Sequence, residues 1–108
     1  MAIDIERLVP KLANVSGGLT GPANRPIAVY MVRQVVKAVR IPVIGVGGIL
    51  DYRDALEFLI AGARAIQVGT ANFVHPATAV RIIDGLERFC RDHNLSRIEE
   101  IIGTLREG

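Results

Sequence analysis

The sequence has one cysteine, no tryptophan, few aromatics, and no long run of apolar residues or of one sign of charge. A single thiol, Cys90, excludes an intrachain disulfide, and with two distant histidines, His75 and His93, it offers no zinc-ligand spacing. Such cysteine usage fits a reducing, cytoplasmic compartment. The longest uncharged apolar stretch, Ile41 to Leu50, is too short to span a bilayer, and the opening MAIDIERLVP lacks the apolar core of a signal peptide, so no membrane partner is expected. The 13 basic and 11 acidic residues are scattered and leave a formal charge of +2. No basic stripe interleaved with aromatics exists for nucleic acid to bind.

Half of the residues are hydrophobic, with many Ile, Val, Leu, Ala and Gly, which argues against disorder and suits a parallel sheet buried on both faces by helices. Residues 1–26 show no helical period, and Gly17-Gly18-Leu19-Thr20-Gly21-Pro22 reads as part of a long leading loop. From Ile27 the apolar residues fall at 27, 31, 32, 35, 36 and 39, which predicts a helix over 27–39 ending before Ile41-Pro42. Val43-Ile44-Gly45-Val46 reads as a buried strand closed by Gly47-Gly48. Asp51 is placed to cap a helix with an inner face of Ala55, Leu56, Leu59 and Ile60, and Gly62 to end it.

A second strand, Ala65-Ile66-Gln67-Val68, ends at Gly69-Thr70. A helix should then start near Pro76 and carry Val80, Ile83, Leu86 and Phe89 inward. Ser96-Arg97-Ile98-Glu99 matches a capping box for a final helix bearing Ile98, Ile101, Ile102 and Leu105. The alternation predicts right-handed βαβ crossovers and an α/β fold with parallel strands. The expected organisation is one domain, with 1–26 as the leading loop and 27–108 as a helix, two βα units and a final helix.

Neighbouring parallel strands bring their carboxyl ends together, so Gly47-Gly48 and Gly69-Thr70 should share one small space. Glycine lets the backbone approach an anion closely, Thr70 adds a hydroxyl, and a helix amino terminus adds a favourable dipole. Either pair alone reads most simply as a turn. Gly47 and Gly69 stand 22 residues apart, and two such pairs at the same place in successive βα units point to a phosphate cradle of the kind found after the last strands of a parallel barrel. The cluster NVSGGLTGPA, Asn14 to Ala23, reads equally as a flexible connection or as a ligand-covering lid.

The run NVSGGLTGPANRPIA, followed by IPVIGVGGI, ALEFLIAGA and QVGTANF, closely resembles the carboxyl-terminal part of the catalytic subunit of the NAD-linked, class 1B dihydroorotate dehydrogenases. The resemblance runs from Met1 to about Leu105. It implies part of a TIM (β/α)8 barrel, with FMN as cofactor, Gly21 against the flavin, and Gly47, Gly48, Gly69 and Thr70 around its phosphate. It also implies oxidation of dihydroorotate to orotate in pyrimidine biosynthesis. FAD and an iron-sulfur cluster are expected only on a partner electron-transfer subunit.

The family's cysteine base, flavin-proximal lysine and orotate-holding asparagines belong to an amino-terminal portion with no counterpart in these 108 residues. No catalytic residue and no metal ligand is therefore assigned. Cys90 reads as an inert, partly buried thiol, His75 as a loop residue and His93 as a helix ending. Lys11, Lys37 and the arginines read as solvated, and Asp51, Asp54 and Glu57 as capping and surface charge. Three other readings remain open. One is a noncatalytic half-barrel that self-associates or recruits a complementary fragment through its bare strand edges. Another is a related pyrimidine-reducing flavin dehydrogenase, and the broadest is a phosphate-binding barrel synthase or isomerase.

Overall fold

A computed structural model describes residues 1–107. The leading segment contains a small antiparallel hairpin, β1 (Ile3–Asp4) with β2 (Val9–Pro10), and ends in a single 3-10 turn, Pro22–Asn24. The hairpin forms because the Asp4 side chain accepts the N–H groups of Glu6 and Arg7 while its carbonyl accepts that of Leu8. The sequence reads as loop throughout this segment, since strands this short leave no alternation to detect.

Then follow α1 (Arg25–Ala38), β3 (Ile44–Val46), α2 (Tyr52–Ala61), β4 (Ala65–Gln67), a short α3 (Ala71–Val74) and α4 (Thr78–Asp92). α2 starts as its sequence dictates: Asp51 accepts the N–H groups of Arg53 and Asp54, and Asp54 closes the box from the other side. Gly62 is its carboxyl cap.

β3 and β4 pair in parallel, Ile44 opposite Ala65 and Val46 opposite Gln67, an offset of 21 residues. Continued past the strands, that register brings Gly48 level with Gly69. The 22-residue match of Gly47 to Gly69 is therefore one residue out of phase. One face of the pair is covered, because Gly45 lies so close to Phe58 that a Cβ there would stand 2.5 Å from its ring. Phe58 is fully buried among Ala55, Ala63, Ile49 and Ile82, and a phenyl group so placed contributes about 3 kcal/mol. The opposite face is bare: Ile44 and Val46 are each about half exposed. The expectation of a sheet buried on both faces holds for one face only.

Two helical expectations need correction. α4 begins at Thr78, not at Pro76, because the His75 carbonyl accepts the Thr78 N–H and hydroxyl and holds the proline in a turn. Its buried residues are Thr78, Ile82 and Gly85, while Val80 and Ile83 face solvent. The face is rotated because Gly85 admits Tyr52 of α2, where a Cβ would come within 2.6 Å of the ring.

The expected last helix is only a 3-10 turn, Ile98–Ile101. The Ser96 N–H and hydroxyl both bond Glu100 instead of Glu99, and Gly103 at φ +73° turns the chain back so that its N–H reaches the Leu59 carbonyl. Residues 103–107 then cross α2 to α1, where Glu107 bonds Arg33 and Lys37 at 2.8 and 2.7 Å.

Candidate functional site

The carboxyl ends of β3 and β4 open on a cavity of about 200 Å³. Gly21, Gly47, Gly48, Gly69 and Thr70 all line it, so the five positions singled out from the sequence share one wall system. Thr20, Asn24, Ile49, Ala71 and Val74 complete the parts that matter here. No acidic, basic or histidine side chain is among the lining residues. Any anion held there would rest on backbone N–H groups, the Thr20 and Thr70 hydroxyls and the Asn24 amide.

The geometry explains why glycine stands where it does. Gly47 and Gly48 have φ of +126° and +71°, the left-handed region that side chains resist. A Cβ on Gly48 would also lie 2.7 Å from the Gly21 carbonyl oxygen and 2.9 Å from the Arg25 nitrogen. The leading loop thus rests directly on the β3 turn. Gly69 and Gly21 lack that crowding, since a Cβ on either meets no atom within 4 Å, although Gly21 too is held at a positive φ of +99°. Their missing side chains leave open space.

At the second turn the Gly69 and Thr70 carbonyls accept the N–H groups of Asn72 and Phe73, each at 3.0 Å, and the Asn72 amide donates to the Val68 carbonyl at 2.8 Å. A trans peptide sets its N–H opposite its C=O. The N–H groups of Thr70 and Ala71 therefore point away from the body of α3, as a phosphate-binding turn requires.

Two features were missed in the sequence. Asn24 lines the cavity, and its place before a helix-starting Arg-Pro gave no sign of that. Asp54 does cap α2 as read, but it and Arg25, expected to be surface charge and a solvated side chain, also form an ion pair of 2.9 Å, with Asp54 buried and Arg25 three-quarters covered. Arg25 also bonds Glu57 at 2.8 Å. Asp54 accepts the Leu50 N–H at 2.9 Å as well, so its carboxylate is shared between a helix start and a strand-end turn. Arg33 is likewise engaged, with Glu107 and the Ala61 carbonyl, and Lys37 with Glu107.

The remaining candidates lie elsewhere. Cys90 is half-buried on α4 and faces a surface groove, outside the cavity lining. His75 is exposed after α3, and His93 stacks on Phe89 with ring centroids 4.0 Å apart at the end of α4. Among the described residues no group of three or more His, Cys, Asp or Glu could hold a metal ion, and no helix is long and apolar enough to cross a membrane.

Comparison with known proteins gives a consistent result. The family model described as dihydroorotate dehydrogenase matches residues 1–90. The catalytic subunit of dihydroorotate dehydrogenase B (NAD(+)) from Geobacter sp. (strain M21) is 56% identical over 105 residues, covering 97% of this chain and 34% of that protein. Its counterpart from Bacteroides fragilis is 54% identical, with 97% and 35% covered. This chain thus spans about a third of the length of the curated relatives it matches. Among solved structures, dihydroorotate dehydrogenase from Eimeria tenella, crystallised with ferulenol, superposes with a TM-score of 0.76 at 27% identity, over 82% of this chain and 24% of that one.

Proposed function

The chain belongs to the dihydroorotate dehydrogenase family, and from that premise we propose that its cavity holds the phosphate end of FMN in a flavoenzyme that oxidises dihydroorotate to orotate. The observation that carries the reading is the convergence of Gly21, Gly47, Gly48, Gly69 and Thr70 on one cavity. A volume near 200 Å³ falls below the ~300–1,000 Å³ of a whole small-molecule site, so it suits one end of the cofactor. The residues fit a phosphate: a close-packed glycine turn on one side, and outward N–H groups with a hydroxyl on the other. When bound, FMN supplies the redox chemistry, taking a hydride from the substrate.

What this chain's own residues contribute is positioning. Gly47-Gly48 and Gly69-Thr70 fix the phosphate, and Gly21 brings the leading loop against the flavin. The parallel β3–β4 pair is read as two strands of a (β/α)8 barrel, with residues 1–26 as the leading segment and 27–108 as a helix and two βα units, the expected final helix being the 3-10 turn. Kinship with NAD-linked catalytic subunits supports a cytoplasmic role in pyrimidine biosynthesis and a partner electron-transfer subunit carrying FAD and an iron-sulfur cluster. The same kinship favours dihydroorotate over the substrates of the pyrimidine-reducing dehydrogenases.

The test is a fluorescence titration of FMN with the purified chain, repeated with riboflavin, which has the same rings but no phosphate. Saturable FMN binding at least about tenfold tighter than riboflavin, a difference of roughly 1.4 kcal/mol, is expected. Equal affinities, or none for FMN, would remove the phosphate assignment.

A second reading, a half-barrel module that packs against another chain, is favoured by one observation: Ile44 and Val46 expose the uncovered face of the β3–β4 pair.

A further inference from the structure

We propose that Arg25 and Asp54 act together as a positioning latch that holds the Gly21 loop against the Gly47-Gly48 turn and so sets the shape of the cavity. The inference rests on the phosphate-site reading for its ligand, though not for its geometry. Neither residue lines the cavity.

The two walls meet at one crowded point. The position of a Gly48 Cβ is 2.7 Å from the Gly21 carbonyl oxygen, 2.8 Å from the Arg25 Cβ and 2.9 Å from the Arg25 nitrogen. The Gly21 carbonyl is in turn bonded by the Asn24 N–H at 3.1 Å. Each van der Waals contact between the two loops is individually weak, and a hydrogen-bonded ion pair adds a bond of fixed direction. The Asp54 carboxylate supplies the direction. One oxygen accepts the Leu50 N–H, two residues beyond Gly48, and the other takes Arg25 Nη1 at 2.9 Å.

A single buried carboxylate is thus bonded to both walls. Glu57 at 2.8 Å holds the guanidinium from its Nε side, turning the charge toward α2. The positive charge of Arg25 is therefore spent on shape, and the anion is left to backbone donors and hydroxyls. Charge-assisted bonds of this fixed geometry suit that task.

The test uses the 108-residue chain with Asp54→Asn and, separately, Arg25→Gln. The side-chain amide introduced by Asp54→Asn keeps an oxygen for the Leu50 N–H and loses the charge that holds Arg25. Arg25→Gln leaves the Asp54 capping bonds intact and serves if the first variant does not fold. Amide hydrogen exchange is read on the wall opposite each change: at Asn24 in Asp54→Asn, and at Leu50 in Arg25→Gln. The reference is Ala63, whose N–H bonds the Phe58 carbonyl at the far end of α2. The latch requires exchange at the opposite wall to rise about tenfold while Ala63 stays within about twofold.

Equal acceleration at all three amides would reveal general destabilisation, and acceleration only on the substituted wall would show the loops to be independent; either overturns the latch. In the ligand arm, both variants should weaken FMN about tenfold. Tighter FMN binding by Asp54→Asn would overturn the latch and make Arg25 a direct phosphate ligand. If the unsubstituted chain binds no FMN, the phosphate-site reading falls while hydrogen exchange still decides the latch.

Discussion

Gly48 and Gly69 border the same cavity and should respond in opposite ways to one methyl group. At Gly48 the added carbon meets two backbone atoms under 3 Å at a positive φ, so the turn itself must move. Gly48→Ala should cost about 1–3 kcal/mol of stability, read from urea unfolding, and abolish FMN binding with it. At Gly69 the carbon meets nothing within 4 Å. Gly69→Ala should leave the unfolding midpoint nearly unchanged and weaken FMN alone, because the methyl takes up space at the rim of the cavity. A Gly69→Ala chain that binds FMN normally would show that this space is not used.

At the scale of elements, the segment after the last 3-10 turn acts as a strap across α2. It is tied by Gly103 to Leu59, by Leu105 to Ile60, and by Glu107 to Arg33 and Lys37 of α1. The hydrogen bonds from Arg33 and then Lys37 hold the Glu107 carboxyl down at about 2, against its ordinary 4.5. A folded-state value lowered in this way adds stability that is fully present above the ordinary value and is lost as pH falls through about 2. A carboxyl titration by NMR should place the Glu107 midpoint near 2 and raise it in Arg33→Gln, though not fully to the ordinary value, because Lys37 still bonds the carboxylate. A midpoint already ordinary in the unsubstituted chain would mean that the strap is not held in solution. The contribution itself is small, because Glu107 and Lys37 are each nearly half exposed and their charges are screened by solvent.

On the scale of the whole molecule, the chain exposes more surface than its mass warrants. Its accessible area is 7960 Å², against about 5,900 Å² for a compact monomer of 11.7 kDa. Its radius of gyration is 16.9 Å, against about 13 Å for a compact domain of this length. The excess, about 2,000 Å² on this one chain, is more than the ~800 Å² that each partner buries in a standard protein interface. Part of it is the extended leading segment, where Ile5 and Leu8 are each 82% exposed, and part is the open face of β3 and β4. The chain should therefore associate at micromolar concentration in sedimentation velocity, and Ile44→Lys should shift it toward monomer. A monomer throughout that range would leave the half-barrel module without support.

The sequence by itself determined the elements whose causes are local. The Asp51 box, the Gly62 cap, the period of α1 and the two glycine-ended strands all depend on neighbours within a few residues, and the motif spacing carried the family and the cavity residues with it. Tertiary structure decided what depends on partners distant in the chain. Asp54 looks like any first-turn acid until α1 brings Arg25 to it from 29 residues away. The inner face of α4 turns on Tyr52 meeting Gly85, and the single residue of slip that aligns Gly48 with Gly69 is set by strand register. Periodicity names a helix, but only the surface it meets chooses which side is buried.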